Sequence, residues 1–242
     1  MKLLVITCFS IIIILSVLLV ISLYNTYQSE QIFPEDESIT LDKCTNLNPG
    51  ALLSGCDLHG MDLQGLDLSG TNLTGANLNH ANLTRTNLSY AILNGADLNR
   101  ANLNGADLTN TEMTNANFDS ANLSNANLHG AFLYSVWFKG ATFTGANLTN
   151  ADLRIAYLQV VNLNGVNLSG ANLSGADLFL AKLNHANLTN ADFSRANLQR
   201  VGFIGADITN ADFTGANLSD TIFTRCIGTP FGIPSIGTLP IC

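Results

Sequence analysis

A leucine, phenylalanine, isoleucine or methionine stands at every fifth position from residue 53 to residue 223, 35 pentads in succession without an insertion. Neither regular element can use that period on one face. On a helix a step of five residues turns about 500°, about 140° net, so these centres spiral round the rod instead of lining a stripe. On a flat strand an odd period throws successive centres onto opposite faces. The chain must therefore bend once per pentad, and if it bends the same way each time it closes into a solenoid with all centres inside. The rest of the phrase agrees. Two residues before the centre stands Ala in 24 of the 35 pentads, and one residue before it Asn or Asp in 25. After it come Ser, Thr or Asn and often Gly, the residues that form turns, as in Ala76-Asn77-Leu78-Asn79-His80.

The phrase resembles the A(D/N)LXX motif of the pentapeptide-repeat proteins. The resemblance implies an all-β fold, a right-handed quadrilateral β-helix with four pentads per coil. Nearly nine such coils at a strand spacing of ~4.8 Å make a rod roughly 42 Å long. It also implies that residues 20 apart stack on one side. Many members end in a helix that pairs two molecules end to end. The tail here, with Pro230, Pro234, Pro240, Gly228, Gly232 and Gly237, departs from that and excludes both a long helix and another coil. It reads as a cap, and the oligomeric state stays open.

The flanks divide the chain into residues 1–24, 25–50, 51–224 and 225–242. Residues 3–23 carry no charge, and at ~1.5 Å per residue they span a ~30 Å hydrocarbon core, which reads as one transmembrane helix. Lys2 precedes that run and the acids Glu30, Glu35, Asp36, Glu37 and Asp42 follow it, an order that places the N-terminus inside and the repeats outside the cytoplasm. The competing reading is a cleaved signal peptide ending near Val20-Ile21-Ser22, which would leave the repeats periplasmic or secreted; the length of the run favours the anchor. Residues 25–50, acidic and broken by Pro34 and Pro49, read as a polar stalk and N-terminal cap.

Cysteine placement agrees with export. Cys44 and Cys56 bracket the start of the repeats, and Cys226 and Cys242 bracket the end. Local disulfides there would clamp the ends of a solenoid, and an oxidising compartment permits them. Four cysteines allow three connectivities. Cys56 and Cys226 also fall at the small inward position, where a free thiol packs like alanine.

Composition speaks against catalysis and against nucleic acid. Charged residues are 12% of the chain and the net charge is −8, the wrong sign for a nucleic-acid partner. No nucleophile, base and orienting acid meet at motif spacing. His59, His80, His129 and His185 lie far apart and none stacks on another, so no metal site is expected, nor any cofactor. Nine Asn-x-Ser/Thr triplets, such as Asn72-Leu73-Thr74, follow from the wording of the repeat.

One stretch breaks the pattern. Where Asn or Asp is the rule, just before the centre, the chain has Phe132, Trp137 and Tyr157, and nearby outward positions hold Tyr134, Ile155, Val160, Phe179 and Leu180. Stacking at 20 residues puts Trp137 under Tyr157 and Phe132 on the adjoining side, with Lys139, Arg154 and Lys182 around them. Exposed apolar clusters mark contact sites, and Trp and Tyr are frequent anchors. The alternatives are that a local bulge folds these rings onto the wall, or that the patch meets membrane or a neighbouring copy. The resulting expectation is a non-catalytic, membrane-tethered or exported scaffold for protein–protein interaction. The alternative implied by some family members is DNA mimicry, in which an acidic rod occupies a topoisomerase such as gyrase. That requires a cytoplasmic rod with stacked acids, whereas one side here reads Asp67, Asn87, Asp107, Asn127, Asn147.

Overall fold

In the computed structural model, residues 44–233 are described, all within one compact unit, Lys43–Cys242. The proposed transmembrane or signal segment, the stalk up to residue 43 and residues 234–242 lie outside the described residues. Among the described residues no helix is long and apolar enough to cross a membrane.

One pentad explains the fold, because all five of its backbone N–H groups find acceptors. Ala76 N donates to Leu73 O at 3.0 Å and closes a turn, while Asn77 N donates to Cys56 O at 2.9 Å in the coil before. Leu78 N and His80 N donate to Asp97 O at 2.7 Å and Asn99 O at 3.0 Å in the coil after. The fifth, Asn79 N, has no backbone partner and donates to Oδ1 of Asn77 at 3.2 Å. That is the physical reason for Asn or Asp before the centre: its side-chain oxygen serves the one amide that neither the turn nor the ladder reaches. The turn's third residue takes φ near +60° at every fifth position from Gly50 to Arg225, the mark of a type II turn.

The rungs are parallel bridges between residues 20 apart, from Leu52↔Asn72 to Asp207↔Ile227. Four pentads therefore make one coil, and the β-helix has four sides. Face one carries Leu52, Asn72 and every twentieth residue to Asp212; faces two, three and four start at Asp57, Asp62 and Asp67. Leucine centres and the alanines two places before them are buried from Ala51 to Ala211, and Ala216 and Leu218 in the last coil are partly buried. Thr71, Thr86 and Thr111 replace that alanine without leaving an orphan, since their hydroxyls donate to Leu68 O, Leu63 O and Leu108 O at 2.6–2.8 Å. At the C-terminal end the core turns aromatic. Phe193 stacks on Phe213 at 5.3 Å and Phe203 on Phe223 at 4.9 Å, and the two columns meet edge to face.

Three features depart from the sequence reading. The ladder does not stop at residue 223: Ile227 and Phe231 add rungs over Asp207 and Asp212, so the Pro/Gly-rich segment begins as a continuation of the coil. The spacing from Ile227 to Phe231 is one residue short, which hides the continuation from a search for period five. His59 and His80, at neighbouring corner positions 21 apart, meet edge to face at 5.6 Å; a rule that stacks only residues 20 apart misses them. On face three the ladder opens. The amides of Gly140, Phe143, Gly145 and Asn162 make no inter-coil backbone bond of the kind seen elsewhere, and Asn167 N reaches Ala146 O only at 3.5 Å. Around this opening Phe138 on face two and Phe143 on face three are successive bulky centres, and Val161 and Val166, before the rungs of faces three and four, replace inward alanines.

At the N-terminal end Cys44 and Cys56 are joined, 12 residues apart, and Leu47 packs against the core beside them. Cys226 is disulfide-bonded as well; Cys242, its expected partner, lies outside the described residues.

The carboxylate caps give the fold a pH dependence. Asp67 is held below its ordinary value of 3.8 chiefly by the Ser69 hydroxyl, then by the Ser69 amide. Asp207 and Asp212 are lowered likewise by Thr209 and Thr214. A folded value below the unfolded one means stability that is complete above about pH 4 and is lost as pH falls through the folded values. Thermal unfolding followed by circular dichroism should be flat from neutral pH to about 5 and should fall in midpoint below about 4. A midpoint that rises on acidification would show that the caps contribute nothing.

Candidate functional site

On faces two, three and four, stacked Asn and Asp side chains are joined by hydrogen bonds between coils. On face two Asn77 Nδ2 donates to Asp57 Oδ1 at 2.9 Å, Asn117 Nδ2 to Asp97 Oδ1 at 3.0 Å and Asn197 Nδ2 to Asp177 Oδ1 at 2.8 Å. Between Asn117 and Asp177 the column is interrupted by two aromatic rungs. Trp137 bridges Tyr157 as the 20-residue register requires, with ring centroids 6.4 Å apart and planes at 68°. Both rings stay in solvent, Trp137 50% and Tyr157 39% exposed, so they do not fold down onto the wall.

Losing an Asn cap there has a local remedy. With Trp137 in place, Lys139 N donates to Asp119 Oδ1 at 2.8 Å, in the coil before. The same substitution serves Thr114 N through Asn94, Asn184 N through Asn164, and Ile204 N through Asn184. No cap of either kind serves Gln159 N beyond Tyr157 or Tyr134 N beyond Phe132. The aromatic residues therefore cost the backbone hydrogen bonds and supply none.

The corners beside face two complete the patch. Between faces one and two stand Tyr134 and Ile155, and between faces two and three Val160 and Leu180, all exposed. Phe179 is half-buried beside Leu180. Phe132 is exposed on face one, one rung below Asp152. Arg154 holds Asp152 with two bonds, Nε to Oδ1 at 2.8 Å and Nη2 to Oδ2 at 2.6 Å, and its guanidinium lies 5.7 Å from the Tyr134 ring centroid. Those Arg154 hydrogen bonds hold the Asp152 carboxyl below its usual range. Lys139 and Lys182 make no ion pair among the described residues. The sequence reading thus placed the patch members; it did not find the Arg154–Asp152 clamp or the substitute cap.

Ile155 and Val160 carry a backbone signature of their own. Both are β-branched and both take positive φ, +57° and +62°, where such residues are true outliers. Strain of this kind persists where the surrounding structure enforces it and collects at functional sites. Replacing both with Gly should therefore raise stability, by about 1 kcal/mol each, measurable in denaturant midpoints. An unchanged or lower midpoint would mean that the side chains compensate for the strain through packing.

Among the described residues no three His, Cys, Asp or Glu side chains group as metal ligands. His59 and His80 stand together without a third.

A family model described as pentapeptide repeats matches this chain in overlapping copies from residue 51 to residue 225, well over half its length. No curated protein matches. Three solved structures are similar. HetL, a pentapeptide repeat protein involved in heterocyst differentiation regulation in the cyanobacterium Nostoc sp. strain PCC 7120, is 28% identical over 78% of this chain and 92% of its own, with a TM-score of 0.45. A pentapeptide repeat protein of the Arabidopsis thaliana thylakoid lumen is 35% identical over 42% of this chain and 70% of its own, with a TM-score of 0.41. QnrB1, a plasmid-mediated fluoroquinolone resistance protein, is 18% identical over 70% of this chain and 88% of its own, with a TM-score of 0.40. Pentapeptide repeat proteins are generally non-enzymatic structural or interaction proteins. With an unbroken five-residue period, a four-sided β-helix and a family match from residue 51 to residue 225, this chain belongs to the pentapeptide repeat family.

Proposed function

We propose that this protein is a non-catalytic scaffold, exported and tethered by its N-terminal segment or released from it, which presents the Trp137–Tyr157 patch to a protein partner. The observation that carries this reading is the replacement of two Asn/Asp side chains of the face-two column by exposed aromatic rings, at rungs whose backbone bridges are kept. Aromatic side chains on a rigid face are efficient anchors, because little side-chain freedom is lost when they are covered. Support for export comes from the uncharged run at 3–23 and from the Cys44–Cys56 disulfide, which an oxidising compartment maintains.

A photo-crosslinking residue at position 157, compared with one at Asn147 on face four, tests the contact. Defined adducts from position 157 and none from position 147 are expected; equal labelling from both defeats the reading. Thiol labelling of intact and opened cells tests the compartment: Cys44 and Cys56 should become reactive only after opening and reduction. Free thiols at these positions inside the inner membrane would instead return a cytoplasmic target, with protection of gyrase from a fluoroquinolone in a supercoiling assay as the next measurement. Against that alternative, the face-two carboxylates Asp57, Asp97 and Asp177 each accept from an Asn amide, so the column is a mixed ladder rather than a line of free charge.

A further inference from the structure

We propose that the partner of this patch is a second copy of the same chain, docked face two to face two with the two coil stacks parallel; this rests on the reading of the patch as a protein contact. Three observations carry it. First, face two runs through the patch as unbroken parallel bridges, Asn117↔Trp137, Trp137↔Tyr157 and Tyr157↔Asp177, so two such faces can pack as sheets do, about 10 Å apart.

Second, the two corners of this face complement each other in register. A two-fold axis along the stack sets the face one–face two corner of one copy opposite the face two–face three corner of the other, within a quarter of a coil in height. From bottom to top the first corner reads Tyr134-Ser135, Arg154-Ile155, Ser174-Gly175, and the second Lys139-Gly140, Gln159-Val160, Phe179-Leu180. Tyr134 of one copy thus meets the Lys139-Gly140 turn of the other, where there is no side chain at Gly140 to obstruct it. Ile155 meets Val160, and Leu180 meets the bare Ser174-Gly175 turn. The unpaired Lys139 ammonium comes to the Tyr134 ring, a favourable cation–π pairing once water is excluded. At the centre, Trp137 and Tyr157 meet their own copies.

Third, the extent suits a reversible dimer. Face two and its corners expose Trp137, Tyr157, Tyr134, Ile155, Val160 and Leu180 at 38–60%, roughly 500 Å² of apolar surface by the usual size of such side chains. With the polar rim that approaches the ~800 Å² per partner of an ordinary specific interface. Asp177 bounds the contact above: its carboxylate already accepts from Phe179 N, Gln159 Nε2 and Asn197 Nδ2. A parallel pair also lets two chains tethered by their N-terminal segments stand on one membrane.

The chain has a single tryptophan, and it is Trp137, so its fluorescence reports this contact directly. The full chain, in detergent micelles, is examined by sedimentation velocity and tryptophan emission over about 1–100 µM. Expected are a monomer–dimer equilibrium, a blue shift of the emission that follows the dimer, and a monomer at all concentrations for Trp137→Asn/Tyr157→Asn. Asn197→Cys should link to its own copy through a bis-maleimide, because parallel stacks bring equal heights together. A monomeric wild type whose emission stays solvent-like overturns the second copy; adducts to a different protein from position 157 would then still uphold the broader partner reading. A dimer that survives the double substitution places the interface elsewhere. Linkage only when Asn117→Cys is mixed with Asn197→Cys shows antiparallel stacks and overturns the arrangement proposed.

Discussion

Phe203→Ala should cost about 3–5 kcal/mol, the largest single-residue loss expected in the solenoid core. Phe203 is fully buried. Its ring stacks on Phe223 at 4.9 Å and meets Phe193 and Phe213 edge to face at 6.1 and 5.7 Å. Removing it leaves a cavity that the ladder prevents the wall from closing, since each coil is pinned above and below by backbone bonds. Each coil of a solenoid contacts only its neighbours, so the loss should be local. Hydrogen exchange should show lost protection from about Phe193 onward while the coils around Leu98 keep theirs. A loss below about 1 kcal/mol would mean that the terminal coils are already loose.

Gly232→Ala should detach the last rung, at about 2–4 kcal/mol for backbone overlap together with a positive φ. Gly232 has φ +72°, and a Cβ there would lie against the backbone N and Cα of Thr214. Backbone cannot swing away as a flexible side chain can. The rung it holds joins Phe231 N to Ala211 O at 2.8 Å and Phe213 N to Phe231 O at 2.9 Å, and thereby covers the Phe213 end of the aromatic core. Gly228 is placed the same way against Thr209. By contrast, Gly165→Ala meets nothing within 4 Å and should pay only for its backbone angle, about 1 kcal/mol. Equal losses at 232 and 165 would contradict the close approach.

Most of the architecture was legible because a five-residue period forces one bend per pentad and so sorts every side chain in or out. The register of 20, which the resemblance to pentapeptide-repeat proteins implies, then placed Trp137 beneath Tyr157. What was not legible depended on contacts between unlike positions. The His59–His80 contact joins different positions of the phrase. The cap that Asp119 lends to Lys139 crosses a coil, and the gap on face three lies beside Phe138, Phe143, Val161 and Val166, none of which is unusual alone. The rungs at Ile227 and Phe231 were hidden because one residue is missing from the spacing and because proline and glycine there suggest irregular chain. Glycine marks a close backbone approach as readily as a loop, and at Gly232 it marks the approach.

The central claim is that Trp137 and Tyr157 belong to a contact surface and are surplus to the fold. The most direct test is the unfolding free energy of Trp137→Asn/Tyr157→Asn, measured where the wild type is monomeric. Asparagine at both positions restores the column from Asn117 to Asp177 and gives Gln159 N its missing acceptor, a gain of about 1 kcal/mol. It removes one edge-to-face ring pair, a loss of about 0.5–1.5 kcal/mol. The account predicts a stability within about 1 kcal/mol of wild type, because these terms oppose each other. A loss of more than about 3 kcal/mol, the range of a buried aromatic truncation, would show that the rings hold the coil together, and the patch would then be wall rather than interface.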